Sequence, residues 1–186
     1  MAEITINNSP IHSDSMISYP YGVQDSGYTC GWHTGVDFVP YGTTPPNPFL
    51  YPVKDGTVVY VNNTTNVALG VQCQIQDNDG YYWRYCHMVL NSLRVRVGDP
   101  VTTLMPIGIM GTTGNSTGVH LHLECSTTQN WQCDTFVNPC TLLNIPNDRY
   151  TIIHYDGTIP PTPPTPTFGN ANKWLKAKSK KYNINY

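Results

Sequence analysis

Charge is scarce in this 186-residue chain: Asp, Glu, Lys and Arg together make up 12% of it, about half the usual share. Coiled coils and helix bundles, which carry charged flanks, are excluded on that ground. No apolar run approaches the ~20 residues a spanning helix needs, so membrane insertion is not expected. Met1 to Pro10 has neither the basic start nor the apolar stretch of a secretory signal, which predicts no Sec export of its own. The six cysteines lack paired Cys-x-x-Cys knuckles, and the chain is too long for a scaffold held by disulfides alone. Their spacing leaves the redox compartment open.

What is present points to strands. Hydrophobic residues reach 39%, enough for a core, which excludes a disordered chain, while 15 Gly, 16 Pro and 11% aromatics favour turns and strands over helices. Gly56–Val61, Val71–Gln76, Tyr81–Cys86 and Val119–Glu124 are short β-branched or aromatic runs bounded by turn signals. Asp77-Asn-Asp-Gly80, between the second and third, offers residues that tolerate positive φ and predicts a hairpin. No stretch before the prolines shows ten residues of clean helical period. The expected fold is all-β, mainly antiparallel sheets forming a groove, with few short helices.

All 12 acidic residues precede Pro160, whereas five of the ten basic ones follow it, so the body carries five basic against twelve acidic residues, a formal −7. An acidic body argues against nucleic acid as a partner, because phosphate binding needs a basic face; the tail alone could hold an anion. Five prolines in Ile159–Thr167 mark a linker that cannot join a sheet. The expected division is a domain at 1–159 and a Pro-rich linker with a basic tail at 160–186.

Histidine and aspartate carry the chemistry. His33 and Asp37 are four apart, and a straight strand would separate their Cα atoms by about 13 Å, too far to share a metal, so the segment must bend. Gly35 is the residue expected to take the dihedrals of that bend. His120 and His122 are two apart on a strand and share a face, with Leu121 and Leu123 on the reverse. Alone, this pair reads equally as two exposed histidines on a half-solvated strand, and His87 alone as an ordinary satisfied histidine. Together the three pieces supply four histidines and one aspartate of a chain with six histidines. Zinc accepts such donors, and a catalytic zinc site uses three protein ligands with one position left open.

Several stretches in order resemble the lysostaphin-type, or LytM-like, zinc endopeptidases that cut peptides in bacterial peptidoglycan. They are His33-Thr-Gly-Val-Asp37-Phe38, Pro40-Tyr-Gly-Thr43, Asp55-Gly-Thr-Val58, Val95–Val101, Gly108–Glu124 and Val137-Asn-Pro139. The resemblance implies one zinc ion held by His33, Asp37 and His122, with His87 and His120 unligated beside the reacting water. His120, two residues from a ligand on the same strand face, is placed to take the water's proton, and His87 to stabilise the oxyanion or assist the leaving amine; the sequence leaves open which histidine does which. The chain has no His-Glu-x-x-His helix, so Glu124 is not cast as a general base; sharing a face with His122, it is a candidate to orient an imidazole. The loop Gly111–Gly118 lacks the Lys-Ser/Thr ending of a phosphate loop and is read as part of a substrate groove. Tyr21, Trp32, Asn115 and Tyr82, with Tyr81 and Trp83, are candidates to wall that groove.

Departures from the family pattern carry expectations of their own. Cys86 stands where a small residue is usual, and Cys30 lies three residues before a ligand. Cys125 and Cys133 bracket a hairpin and are either bridged or buried thiols. The insertion Thr44–Leu50 lengthens a loop near the site, and His12 and His154, outside every motif, are expected at the surface. The implied partners are peptidoglycan peptides and, for a phage or prophage product, other tail proteins. Such a product is expected to be virion-associated, or released at lysis as an endolysin. The alternative is a non-catalytic peptidoglycan-binding or structural tail component.

Overall fold

The computed structural model describes residues 2–157, so the linker and basic tail expected at 160–186 lie outside the described residues. In chain order the strands begin with β1 (Glu3–Ile6), β2 (Ser15–Tyr19), β3 (Val36–Pro40), β4 (Phe49–Leu50), β5 (Gly56–Asn62) and β6 (Val71–Asp77). They continue with β7 (Tyr82–Met88), β8 (Pro100–Val101), β9 (Gly108–Ile109), β10 (Leu121–Ser126) and β11 (Phe136–Val137). A five-residue helix α1 (Pro139–Leu143) precedes β12 (Ile152–Tyr155).

Nine of the strands run β1-β12-β2-β3-β10-β7-β6-β5-β8 across one sheet, with β11 appended to β10; β4 and β9 form a separate pair. Every pairing is antiparallel except β1 with β12. The expected strands are all present, and Gly80, at φ 93°, closes the β6–β7 hairpin. α1 starts with Pro139, its end capped by the Asn138 side chain accepting from the Cys140 N–H, so the Val-Asn-Pro stretch is a strand end and a helix start.

Period-two alternation decides what faces what. Val36 and Phe38 of β3, Leu121, Leu123 and Cys125 of β10, Trp83 and Tyr85 of β7, and Cys73 and Ile75 of β6 make the core, each at most 1% exposed. The opposite face of β10 carries His122, Glu124 and Ser126, and these too are buried. Polar side chains buried on the face away from the core need partners there, and that face holds the site.

Trp83 belongs to the core, its indole N–H donating to Asp77 Oδ2 at 2.8 Å, and so does not wall a groove. His12 is likewise not at the surface. It is 9% exposed, stacked between Tyr51 and Tyr155 with ring centroids at 3.6 and 4.3 Å. The inserted Thr44–Leu50 segment ends in β4, whose pairing with β9 ties it to the Gly108–Ile109 strand.

Candidate metal centre and active site

Two of the candidate ligands meet because β3 and β10 are neighbours: in their register Asp37 lies directly opposite His122. His33 arrives from a bend that precedes β3. There the Gly22 N–H donates to the His33 carbonyl and the His33 N–H to the Val23 carbonyl, folding residues 22–33 back on themselves. A disulfide between Cys30 and Cys133 fastens this bend to the loop after β10. Cys125 and Cys133 are thus not bridged to each other: Cys125 is a buried thiol, Cys133 is not, and Cys30 takes no part in the metal cluster.

Gly35 serves the bend differently from the expectation. Its φ is not positive; instead, a Cβ there would lie 2.6 Å from the Leu123 carbonyl oxygen and 2.8 Å from the His122 ring. Glycine is required so that β3 can approach β10 closely enough to put Asp37 beside His122.

His33 Nε2, Asp37 Oδ1 and His122 Nδ1 converge, at 3.1 Å between His33 and Asp37, 2.8 Å between His122 and Asp37, and 3.0 Å between the two nitrogens. His33 Nδ1 donates to the Pro20 carbonyl at 2.8 Å, which leaves Nε2 with its lone pair turned inward. Glu124 Oε1 lies 3.1 Å from the other His122 nitrogen, an ion-pair distance whose angle falls short of a straight hydrogen bond. Glu124 is itself gripped by Arg84 and by the Thr34 hydroxyl. Burial works against the Asp37 carboxylate, but the neighbouring His122 and His33 rings outweigh it and hold its pKa well below the usual range. Burial also works against charge on His122, yet Glu124 and Asp37 push it up to about 9. The enclosure thus demands a positive charge, which a proton or a divalent cation supplies. Two imidazole nitrogens and one carboxylate oxygen within about 3 Å of one another fit tetrahedral zinc, whose ligands sit at about 2.0–2.2 Å.

Two more histidines border the cluster. His87 Nδ1 donates to the Thr113 carbonyl at 2.8 Å, and His120 Nδ1 to the Gly118 carbonyl at 2.9 Å. Those partners fix one tautomer in each ring, with a bare Nε2. The rings lie 4.7 Å apart, His87 is 5.9 Å from His122, and His120 Nε2 is 3.8 Å from Asp37 Oδ2. His87 adopts φ 59°, rare outside glycine, and is held there by its N–H donating to the Leu69 carbonyl. Burial lowers its pKa to about 4, keeping the ring neutral.

Of the proposed groove residues, Tyr21 touches Trp32 in a T-shaped contact at 5.0 Å, and Trp32 directly precedes the candidate ligand His33. Asn115 is exposed in the loop, its N–H donating to the Ala68 carbonyl. Tyr82 lies opposite Ser126, on the face shared with Glu124 but two pairs farther from the cluster. Arg84, Thr34 and the Tyr19 and Tyr28 rings, 4.7 and 5.1 Å from His33, were not anticipated. Arg84 had a signal: it is the single charge in the run Tyr81–Cys86.

The chain is similar in sequence and fold to several known proteins. Over 106 residues it is 37% identical to the glycyl-glycine endopeptidase ALE-1 of Staphylococcus capitis, a match covering 57% of this chain and 28% of that protein. Over 93 residues it is 38% identical to the peptidoglycan DD-endopeptidase ShyA of Vibrio cholerae, covering 50% of this chain and 20% of that one. The matched stretch is thus under a third of either relative. The catalytic domain of the antimicrobial peptidase lysostaphin from Staphylococcus simulans superposes with a TM-score of 0.56 at 30% identity, over 72% of this chain and 92% of that domain. The sequence profile of peptidase family M23 matches residues 31–135, a span that contains His33, Asp37, His87, His120 and His122, and the chain belongs to that family.

Proposed function

We propose that this chain is a zinc-dependent endopeptidase that hydrolyses peptide bonds in bacterial peptidoglycan, in the stem peptide or the cross-bridge. The observation that carries the reading is the convergence of three inward-facing donor atoms beside two unligated imidazoles, each with its Nε2 bare. Family membership and the relatives named for glycyl-glycine and peptidoglycan cleavage support it.

His33, Asp37 and His122 would hold the metal. Bound there, zinc supplies a Lewis acid for the scissile carbonyl and for the nucleophilic water. His120 Nε2 accepts the water's proton; Asp37 Oδ2, 3.8 Å away, stabilises the imidazolium that results. That imidazolium then protonates the leaving amine. His87, neutral and donating from Nδ1 to Thr113, offers its Nε2 lone pair to orient the water. The oxyanion or donor role that the sequence reading offers it requires prior protonation, which its burial opposes. Glu124, anchored by Arg84 and Thr34, holds the His122 ring so that Nδ1 faces the cluster.

Mass spectrometry of fragments from purified walls of several bacteria, with zinc and with chelator, tests this reading and identifies the bond cut. Zinc-dependent release of peptides is expected; intact walls after treatment with the zinc-loaded protein would overturn it. The action of a phage product at the wall is part of the same proposal. Its test is copurification with virions, as a tail component, against recovery from the lysate supernatant, as a free endolysin.

A further inference from the structure

The face that carries His122 and Glu124 continues across two more strands. In register, Glu124 of β10 lies opposite Arg84 of β7, and Arg84 opposite Gln74 of β6, so the three side chains share that face. The loop after β10 folds over them. Its Trp131 lies on the Arg84 guanidinium, 4.0 Å from carbon to ring centroid, and its indole N–H donates to Gln74 Oε1 at 3.0 Å. Trp131 adopts φ 43°, a conformation that bulky side chains rarely take, so the loop holds this indole against a backbone preference. Beside it opens a cleft of about 440 Å³ lined by Tyr60, Gln74, Gln129, Asn130 and Trp131.

We propose that this cleft is a saccharide subsite that takes an N-acetylated sugar ring of the peptidoglycan strand. It rests on the reading that the chain acts on peptidoglycan, and adds a contact to the glycan. The lining has an indole, a phenol and three carboxamides and no charged side chain. A pyranose presents an apolar C–H face suited to an aromatic ring and a rim of hydroxyl and acetamido groups suited to planar amides. A stem-peptide carboxylate would require a cation, and Arg84, the cation at hand, is covered by Trp131 and paired with Glu124. The hydrogen bond to Gln74, which is 6% exposed, fixes the indole before any ligand arrives, lowering the ordering cost of binding.

The spacing suits the substrate. Gln74 is two strands from Glu124, about 10 Å, and Glu124 is two residues along β10 from His122, about 7 Å, so the cleft lies about 12 Å from the cluster. An extended stem of four residues spans about 14 Å. A sugar seated in the cleft therefore leaves its stem long enough to reach the cluster.

The test is an NMR titration of the full chain, following the indole N–H of Trp131, with the tetramer of N-acetylglucosamine and, in parallel, maltotetraose. A shift of the Trp131 signal with the N-acetylated oligomer and not with maltotetraose is expected. Tyr60→Ala and Gln129→Ala, at exposed positions, should weaken that binding about fivefold or more. An unmoved Trp131 signal, an equal response to maltotetraose, or affinity unchanged in both variants overturns the subsite. Cleavage of a glycan-free stem peptide by the zinc-loaded wild type is read separately. Cleavage without saccharide binding sinks the subsite alone, and saccharide binding without cleavage of any wall peptide sinks the peptidase reading while keeping the subsite.

Discussion

At the scale of single residues, the two histidines of Val119–Glu124 have different jobs although they stand two apart. His122 Nδ1 faces His33 and Asp37, whereas His120 keeps Nδ1 on the Gly118 carbonyl and turns Nε2 toward Asp37. His120→Ala should therefore bind zinc normally and lose cleavage by about 10²–10⁴-fold, while His122→Ala should lose both metal and cleavage. Metal content by elemental analysis beside fragment release checks this, and equal metal loss in the two variants would reverse the assignment. The five residues at the centre were legible in the sequence as three pieces, each ambiguous alone, whose coincidence pointed to a metal, and their division into ligands and free imidazoles came from the family resemblance. Arg84 and Thr34 were not, since their part depends on reaching Glu124 across strands, and a register is invisible until the sheet is formed.

At the scale of elements, the strands and the β6–β7 hairpin followed from alternation and turn residues, but how closely two strands approach did not. Gly35 looked like a hinge and is a spacer. Gly35→Ala would drive a Cβ to 2.6 Å from a backbone carbonyl that cannot rotate away, so β3 must move off β10. A loss of about 1–3 kcal/mol in stability is expected, together with weaker zinc binding, because Asp37 and His122 sit across that pair. Urea unfolding and a zinc titration measure the two; a variant with both unchanged would show that β3 adjusts freely. The disulfide was equally hidden, since Cys30 and Cys133 are 103 residues apart and only folding brings them together. It fastens the bend that delivers His33 to the loop that carries Trp131. Cys30→Ser should cost roughly 2–5 kcal/mol and lower zinc affinity, whereas Cys125→Ser, which replaces a buried thiol off that path, should leave zinc affinity the larger of the two. Equal zinc affinities would detach the bridge from the site.

At the scale of the whole molecule, one stacked contact joins separate parts of the chain in a way that composition could not reveal. His12 is inserted between Tyr51, just after β4, and Tyr155 of β12, joining the N-terminal loop to two separate parts of the chain. A histidine outside every motif reads as a surface residue, and only its two stacking partners make it a buried one. Burial lowers its pKa to about 4 from an ordinary 6.5, and its Nδ1 has no hydrogen-bond partner among the described residues. The unfolded chain therefore binds a proton that the folded one refuses. Stability from this group is fully present above about pH 6.5 and is lost as pH falls toward and through 4, by up to about 3 kcal/mol. His12→Phe keeps a flat ring in the stack and removes both the titration and the unpartnered nitrogen. Its unfolding free energy should match or exceed that of the wild type at pH 7.5, and the gap between them should widen steadily down to pH 4.5 in urea unfolding. Other carboxylates and histidines titrate equally in both proteins, so the widening reads His12 alone. Parallel stability curves across that range would show that the ring accepts its proton without leaving the stack.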